Sequence, residues 1–306
     1  MTASMTAPMT APMTEPMTAS ITAPMPAPIT ELHYRIGAPV LGHFPGRHRS
    51  PRGDSGFEFR GHASLLDAPD PRRLDLHASL RDPFGDWRVR IHSQRKSVPV
   101  VMVADLSASM GVRGRHAKLG VIADFVDSLA LSAWRSGDSF GFIGCDALVR
   151  DDLLQPPTRA RGAGNAIARR LRAWHADGRS AHGLLEAQHR LPRQRALVFL
   201  VSDFHLPMAL VNDVLDSLAA HDVVPVVLWD RAEFDLGARP GLASVVDPET
   251  GVQRLVWWRP ALRARWQAWA AQRRAALLSL LQAHRLQPLF IEDGFDADAV
   301  TRHFQA

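Results

Sequence analysis

The strongest early signal in the chain is a nearly unbroken apolar run at residues 98–104, Val-Pro-Val-Val-Met-Val-Ala. Such a run, without polar alternation, predicts a strand buried on both faces. After a polar turn, Leu119, Ile122, Phe125, Leu129 and Ala133 recur at helical spacing, and Gly137 supplies a stop. The rhythm continues with strands predicted at 139–144, 196–201, 223–228 and 288–291, and helices at 165–174, 180–190, 208–219 and 298–304. Apolar strands alternating with helices predict an α/β fold with a doubly wound, mostly parallel sheet of the Rossmann type. Residues 242–258 interrupt it with two β-rich runs around Asp247-Pro248-Glu249-Thr250-Gly251, which predicts an inserted hairpin. A long helix follows from Pro260, a residue suited to a first helical turn.

The flanks differ. Residues 1–32 are eight tetrapeptides in tandem, beginning MTAS-MTAP-MTAP, with proline at nearly every fourth position. Proline at that spacing forbids a helix and the small polar composition offers no core, so a disordered tail is expected. Residues 33–97, rich in Arg, Gly, Pro and Asp, predict an irregular lead-in, and residues 98–306 the α/β domain.

Composition narrows the class. With 46% hydrophobic residues in 306, the chain has enough apolar material for one large domain or two small ones. The lone cysteine, Cys145, excludes an intramolecular disulfide and suits a reducing compartment. No apolar run reaches transmembrane length and no secretory leader is evident, so a soluble cytoplasmic protein is expected. The isoelectric point is near 10.4 because the basic residues are almost all arginine, with Lys96 and Lys118 the two lysines. These arginines are scattered and not gathered into one basic patch with interleaved aromatics, so nucleic acid is not the expected partner.

In an open α/β sheet, ligands bind beyond the carboxyl ends of the strands. Two segments there carry chemistry: Asp105-Leu106-Ser107-Ala108-Ser109 after the first strand, and Ser202-Asp203-Phe204-His205 after the 196–201 strand. A carboxylate and two hydroxyls at alternate positions, joined by Asp203, make a hard oxygen set suited to Mg²⁺ or Mn²⁺ with waters completing the shell. Ser107 and Ser109 have a plainer reading as turn caps, and His205 reads as a surface loop residue. The tryptophans, Trp257, Trp258, Trp266 and Trp269 among them, read as packing or partner-contact residues.

The Asp105-x-Ser107-x-Ser109 segment resembles the metal-ion-dependent adhesion site of von Willebrand factor A domains. Upstream, Gly56-Phe57-Glu58-Phe59-Arg60, Asp70-Pro71-Arg72-Arg73-Leu74-Asp75, Arg81 and Trp87-Arg88-Val89-Arg90 resemble the stretch that precedes the A domain in the bacterial domain-of-unknown-function 58 family. The 247–251 turn and the last helix are also similar to that family, so the resemblance covers about residues 43–304. It implies a von Willebrand factor A-like sheet and a metal site in which Ser180, within Gly178-Arg179-Ser180-Ala181, stands for the family's distant threonine. Serine there is equally a good helix N-cap. The resemblance further implies a non-enzymatic, chaperone-like adaptor working with a MoxR-type AAA+ ATPase on client proteins, its metal held open for a partner's carboxylate.

Two other classes compete. An aspartate after a first parallel strand is also where phosphotransferases of the haloacid-dehalogenase type carry their nucleophile, which would make Asp105 catalytic in a phosphotransferase or hydrolase. That chemistry needs a second carboxylate two residues on, where this chain has Ser107. The third class is an arginine-mediated nucleic-acid binder.

Overall fold

The computed structural model describes residues 29–35, 45–49, 58–93, 95–112, 114–230, 241–246 and 251–305. Residues 1–28 of the expected tail and 247–250 of the expected hairpin turn lie outside the described residues. The lead-in is more ordered than its composition suggests. It pairs β1 (Pro45–Arg49) with β4 (Arg95–Lys96), and β2 (Glu58–Ser64) with β3 (Arg88–Ser93), both antiparallel. A short helix α1 (Leu76–Leu80) lies between β2 and β3. Polar side chains hold this unit. Asp75 caps α1 through Ala78 N (3.1 Å) and accepts from Arg90 Nε (2.7 Å), while Arg88 pairs with Asp82. Arg90, then His62 and the Ala78 amide, hold the Asp75 carboxyl well below the usual carboxylate range.

The central sheet follows from the apolar runs. Its strands are β5 (Pro99–Asp105), β6 (Ser139–Cys145), β7 (Val149–Thr158), β8 (Leu197–Ser202), β9 (Asp222–Leu228) and β12 (Leu289–Ile291). They lie in the order β12-β9-β8-β5-β6-β7, parallel throughout except for the antiparallel edge strand β7. Every residue of β5 and β8 is buried, which is why both read as continuous apolar stretches. The connection from β5 leads to β6 on one side, whereas β8 and β9 continue on the other. The β5/β8 boundary is therefore the topological switch point of the sheet.

Helices cover both faces. One core lies under α2 (Lys118–Ser136), α3 (Ala163–Ala173) and the last helix, α7 (Ala297–His303). The other lies under α4 (Gly183–Glu186), α5 (Met208–Ser217) and the end of α6 (Pro260–Ala283), where Leu277 and Leu281 are buried. Helix α2 stops at Gly137, whose left-handed backbone (φ 75°) closes its C-terminus. The inserted hairpin is present as β10 (Gly241–Val246) paired with β11 (Gln253–Trp258). No helix among the described residues is long and apolar enough to cross a membrane.

Three expectations need correction. The helix expected over 180–190 contracts to α4 and a 3-10 turn, Ala187–Arg190. Gly183 is pressed so closely on the Leu148 backbone that an added Cβ would lie 2.4 Å from it, and Ser180 is engaged in its own turn. Strand β7 was not expected, because an exposed edge with Pro156 and Pro157 shows no apolar alternation. The tail boundary also moves. Leu32 is 1% exposed, its amide donates to Ser132 Oγ (2.9 Å), and Tyr34 Oη donates to Asp138 Oδ2 (2.6 Å), so residues 32–34 pack on the body.

Candidate functional site

Because β5 and β8 are neighbours, their carboxyl ends bring the two acidic segments together. Asp105 ends β5 with no solvent exposure. Its Oδ1 accepts the Ser107 amide (2.9 Å) and its Oδ2 accepts the Ser202 hydroxyl (2.7 Å). Ser202 Oγ in turn accepts the Phe204 amide (2.9 Å), tightening a turn in which Phe204 takes a left-handed backbone (φ 52°). The Ser107 and Ser109 hydroxyls hydrogen-bond each other at 3.2 Å. The loop is braced from a third segment, since Ala108 N donates to Gly178 O (2.7 Å) and Ser107 bridges Gly178.

Asp203 is equally buried but differently partnered. Its Oδ1 accepts the His205 amide (3.1 Å), and its Oδ2 accepts Lys118 Nζ (2.9 Å). Lys118, the first residue of α2, is 5% exposed and also reaches the Ser109 carbonyl (3.4 Å). Around this pair, Trp229 Nε1 donates to the Asp203 carbonyl (2.7 Å), and the Arg273 guanidinium donates to the carbonyls of Phe204 (2.6 Å) and Leu206. The His205 ring stacks with Trp229 and with Trp269, so it belongs to an aromatic row and not to a bare loop.

The electrostatics follow from these partners. Burial, and next the neighbouring Asp203 charge, push the Asp105 carboxyl up to about 6. Burial acts in the same sense on Asp203, but the Lys118 ammonium, followed by the charge of His205, holds it below the usual carboxylate range. Beside Asp105 on β6, burial pushes the Cys145 thiol upward, leaving it inert as a nucleophile.

Residues 69–276 match the family described as protein of unknown function DUF58. The chain belongs to the DUF58 family. It is 39% identical over 103 residues to an uncharacterized protein in the moxR 3′ region of Paracoccus denitrificans, spanning 34% of this chain and 98% of that protein. Among solved structures it is similar to the conserved hypothetical protein BatB from Bacteroides thetaiotaomicron, at 14% identity and a TM-score of 0.41, covering 68% of this chain and 96% of that one. It is likewise similar to an aerotolerance-related membrane protein from Bacteroides fragilis, at 12% identity and a TM-score of 0.42, covering 68% and 97%. The sheet of this DUF58 chain is mostly parallel, with helices on both faces.

Of the five expected ligands in this DUF58 chain, Asp105, Ser107, Ser109 and Asp203 converge at the switch point. Ser180 serves its own turn, where its hydroxyl accepts the His182 amide (3.2 Å) and lies 2.6 Å from His182 Nδ1. The residues not singled out from the sequence are Lys118, Ser202, Trp229 and Arg273. One signal pointed to Lys118: it is one of two lysines among 36 basic residues, placed at the start of a helix, where the macrodipole disfavours a cation.

The donor chemistry suits a hard cation, but the arrangement does not. Both oxygens of Asp105 and both of Asp203 already accept hydrogen bonds, and the latter's Oδ2 is held by an ammonium. A divalent ion on Asp203 Oδ2 would have to displace Lys118 first. No cluster of three or more His, Cys, Asp or Glu side chains with metal-holding geometry occurs among the described residues.

Proposed function

We infer that this chain is an interaction adaptor working with a MoxR-type AAA+ ATPase, and that the loops at the carboxyl edge of its sheet are the surface it presents to a partner. The observation that carries this reading is its identity to a protein in the moxR 3′ region, extending over 98% of that protein. The site supports binding more readily than turnover. Asp105, the one candidate nucleophile, is fully buried with both oxygens hydrogen-bonded, so it presents no exposed oxygen to a phosphate. The assembly or activation of client proteins is the role this partnership would serve.

Affinity purification of the full chain from its native host tests the reading. An AAA+ ATPase recovered with the chain is the expected result. Recovery of neither an ATPase nor any protein dependent on one overturns the adaptor role. A second arm with EDTA reads whether Mg²⁺ or Mn²⁺ bridges the contact, as the family resemblance implies.

A further inference from the structure

We propose that Lys118 is the resident cation of the cluster: its ammonium neutralises Asp203 where a divalent metal would otherwise sit, and divalent binding emerges only when that ammonium is removed. The inference concerns the state of the cluster and stands whether or not an ATPase is the partner.

Position gives the first argument. Lys118 opens α2, the end of a helix at which the aligned peptide dipoles repel a positive charge. A lysine buried there needs a compensating anion, and Asp203 supplies it at 2.9 Å. Shape gives the second. The chain otherwise carries its positive charge almost entirely as arginine, yet here it has the smaller, compact ammonium. Such a group bonds the Asp203 carboxylate and the Ser109 carbonyl at once. It thereby ties the 105–109 loop to the 203–205 loop, the same two segments that a metal bound to Asp105, Ser107, Ser109 and Asp203 would join.

Charge gives the third argument. A dication on Asp203 Oδ2 would meet the Lys118 ammonium on the same oxygen, and at that oxygen the two cations exclude each other. Asp105 adds little demand for a second positive charge, since the Ser107 amide and the Ser202 hydroxyl already satisfy its oxygens. Lys118 also lines a small pocket of about 20 Å³ with His116, Trp229, Asp230 and Glu292.

The test is a titration of the full chain with Mn²⁺, followed by calorimetry and by loss of the free-ion spin-resonance signal. Lys118→Met keeps an unbranched stem of similar length and removes the charge together with the ammonium's hydrogen bonds to Asp203 and Ser109. It is expected to bind Mn²⁺ at least about tenfold more tightly than the wild type, because the competing cation is gone. Lys118→Met/Asp203→Asn should fall back to the wild-type level, which a purely structural lysine would not require. Equal or weaker binding by folded Lys118→Met overturns the proposal. The wild type provides a check that no variant's folding can compromise. Millimolar Mn²⁺ should leave its unfolding midpoint unmoved, whereas a saturable rise means a tightly held native metal and also overturns it.

Discussion

Asp105 and Asp203 end neighbouring strands, both fully buried, yet they differ in state. One is bonded to an amide and a hydroxyl and tends toward its neutral form, while the other is bonded to an amide and an ammonium and stays ionised. Depth alone therefore does not decide what a buried carboxyl does; the presence of a cation within reach does. The contrast also divides the labour of the site, with Asp105 organising its own loop and Asp203 tethering the start of α2.

The sharpest break of this contrast is Asp203→Asn. It preserves shape and the His205 contact but removes the carboxylate charge that the buried ammonium bonds at 2.9 Å, and should cost about 3–5 kcal/mol in denaturant unfolding. Next comes Ser202→Ala, which removes the hydroxyl serving both Asp105 Oδ2 and the Phe204 amide. A loss of about 1–3 kcal/mol in the same assay is expected, as two buried polar groups lose their shared partner. The smallest effect belongs to Asp105→Asn, within about 1 kcal/mol of wild type, because an amide can still accept from Ser107 N and donate to Ser202 Oγ. Comparable losses for the two aspartate variants would erase the distinction drawn between them.

The legible parts of the fold are those in which burial on both faces leaves an unbroken apolar run, as in β5, β8 and β9. The strand pair β2 and β3 escaped notice because its order comes from Asp75, Arg90, Asp82 and Arg88, and charged side chains leave no period-two hydrophobic signal. Edge strand β7 escaped for the same reason, aggravated by its two prolines. At the site, strand-end position exposed Asp105, Ser107, Ser109 and Asp203. Lys118 stands 85 residues from its partner, and only the packing of α2 over the β8 loop brings them together. Ser180 is the opposite case. Its place in a family pattern suggested a ligand, while its nearest available partner, His182, claims the hydroxyl.

The packing of Leu32 and Tyr34 sets a direction for the whole molecule. Tyr34 fastens to Asp138, whose other oxygen accepts the Val98 amide (2.8 Å), and both acceptor and amide lie at the amino ends of the central strands. The cluster lies at the carboxyl ends, on the order of 20 Å away along a seven-residue strand. The point where the tetrapeptide repeat joins the body is thus the rear of the protein, and the loops are its front. A repeat unit gained or lost enters the chain on the side of the body opposite the loops that carry Asp105 and Asp203.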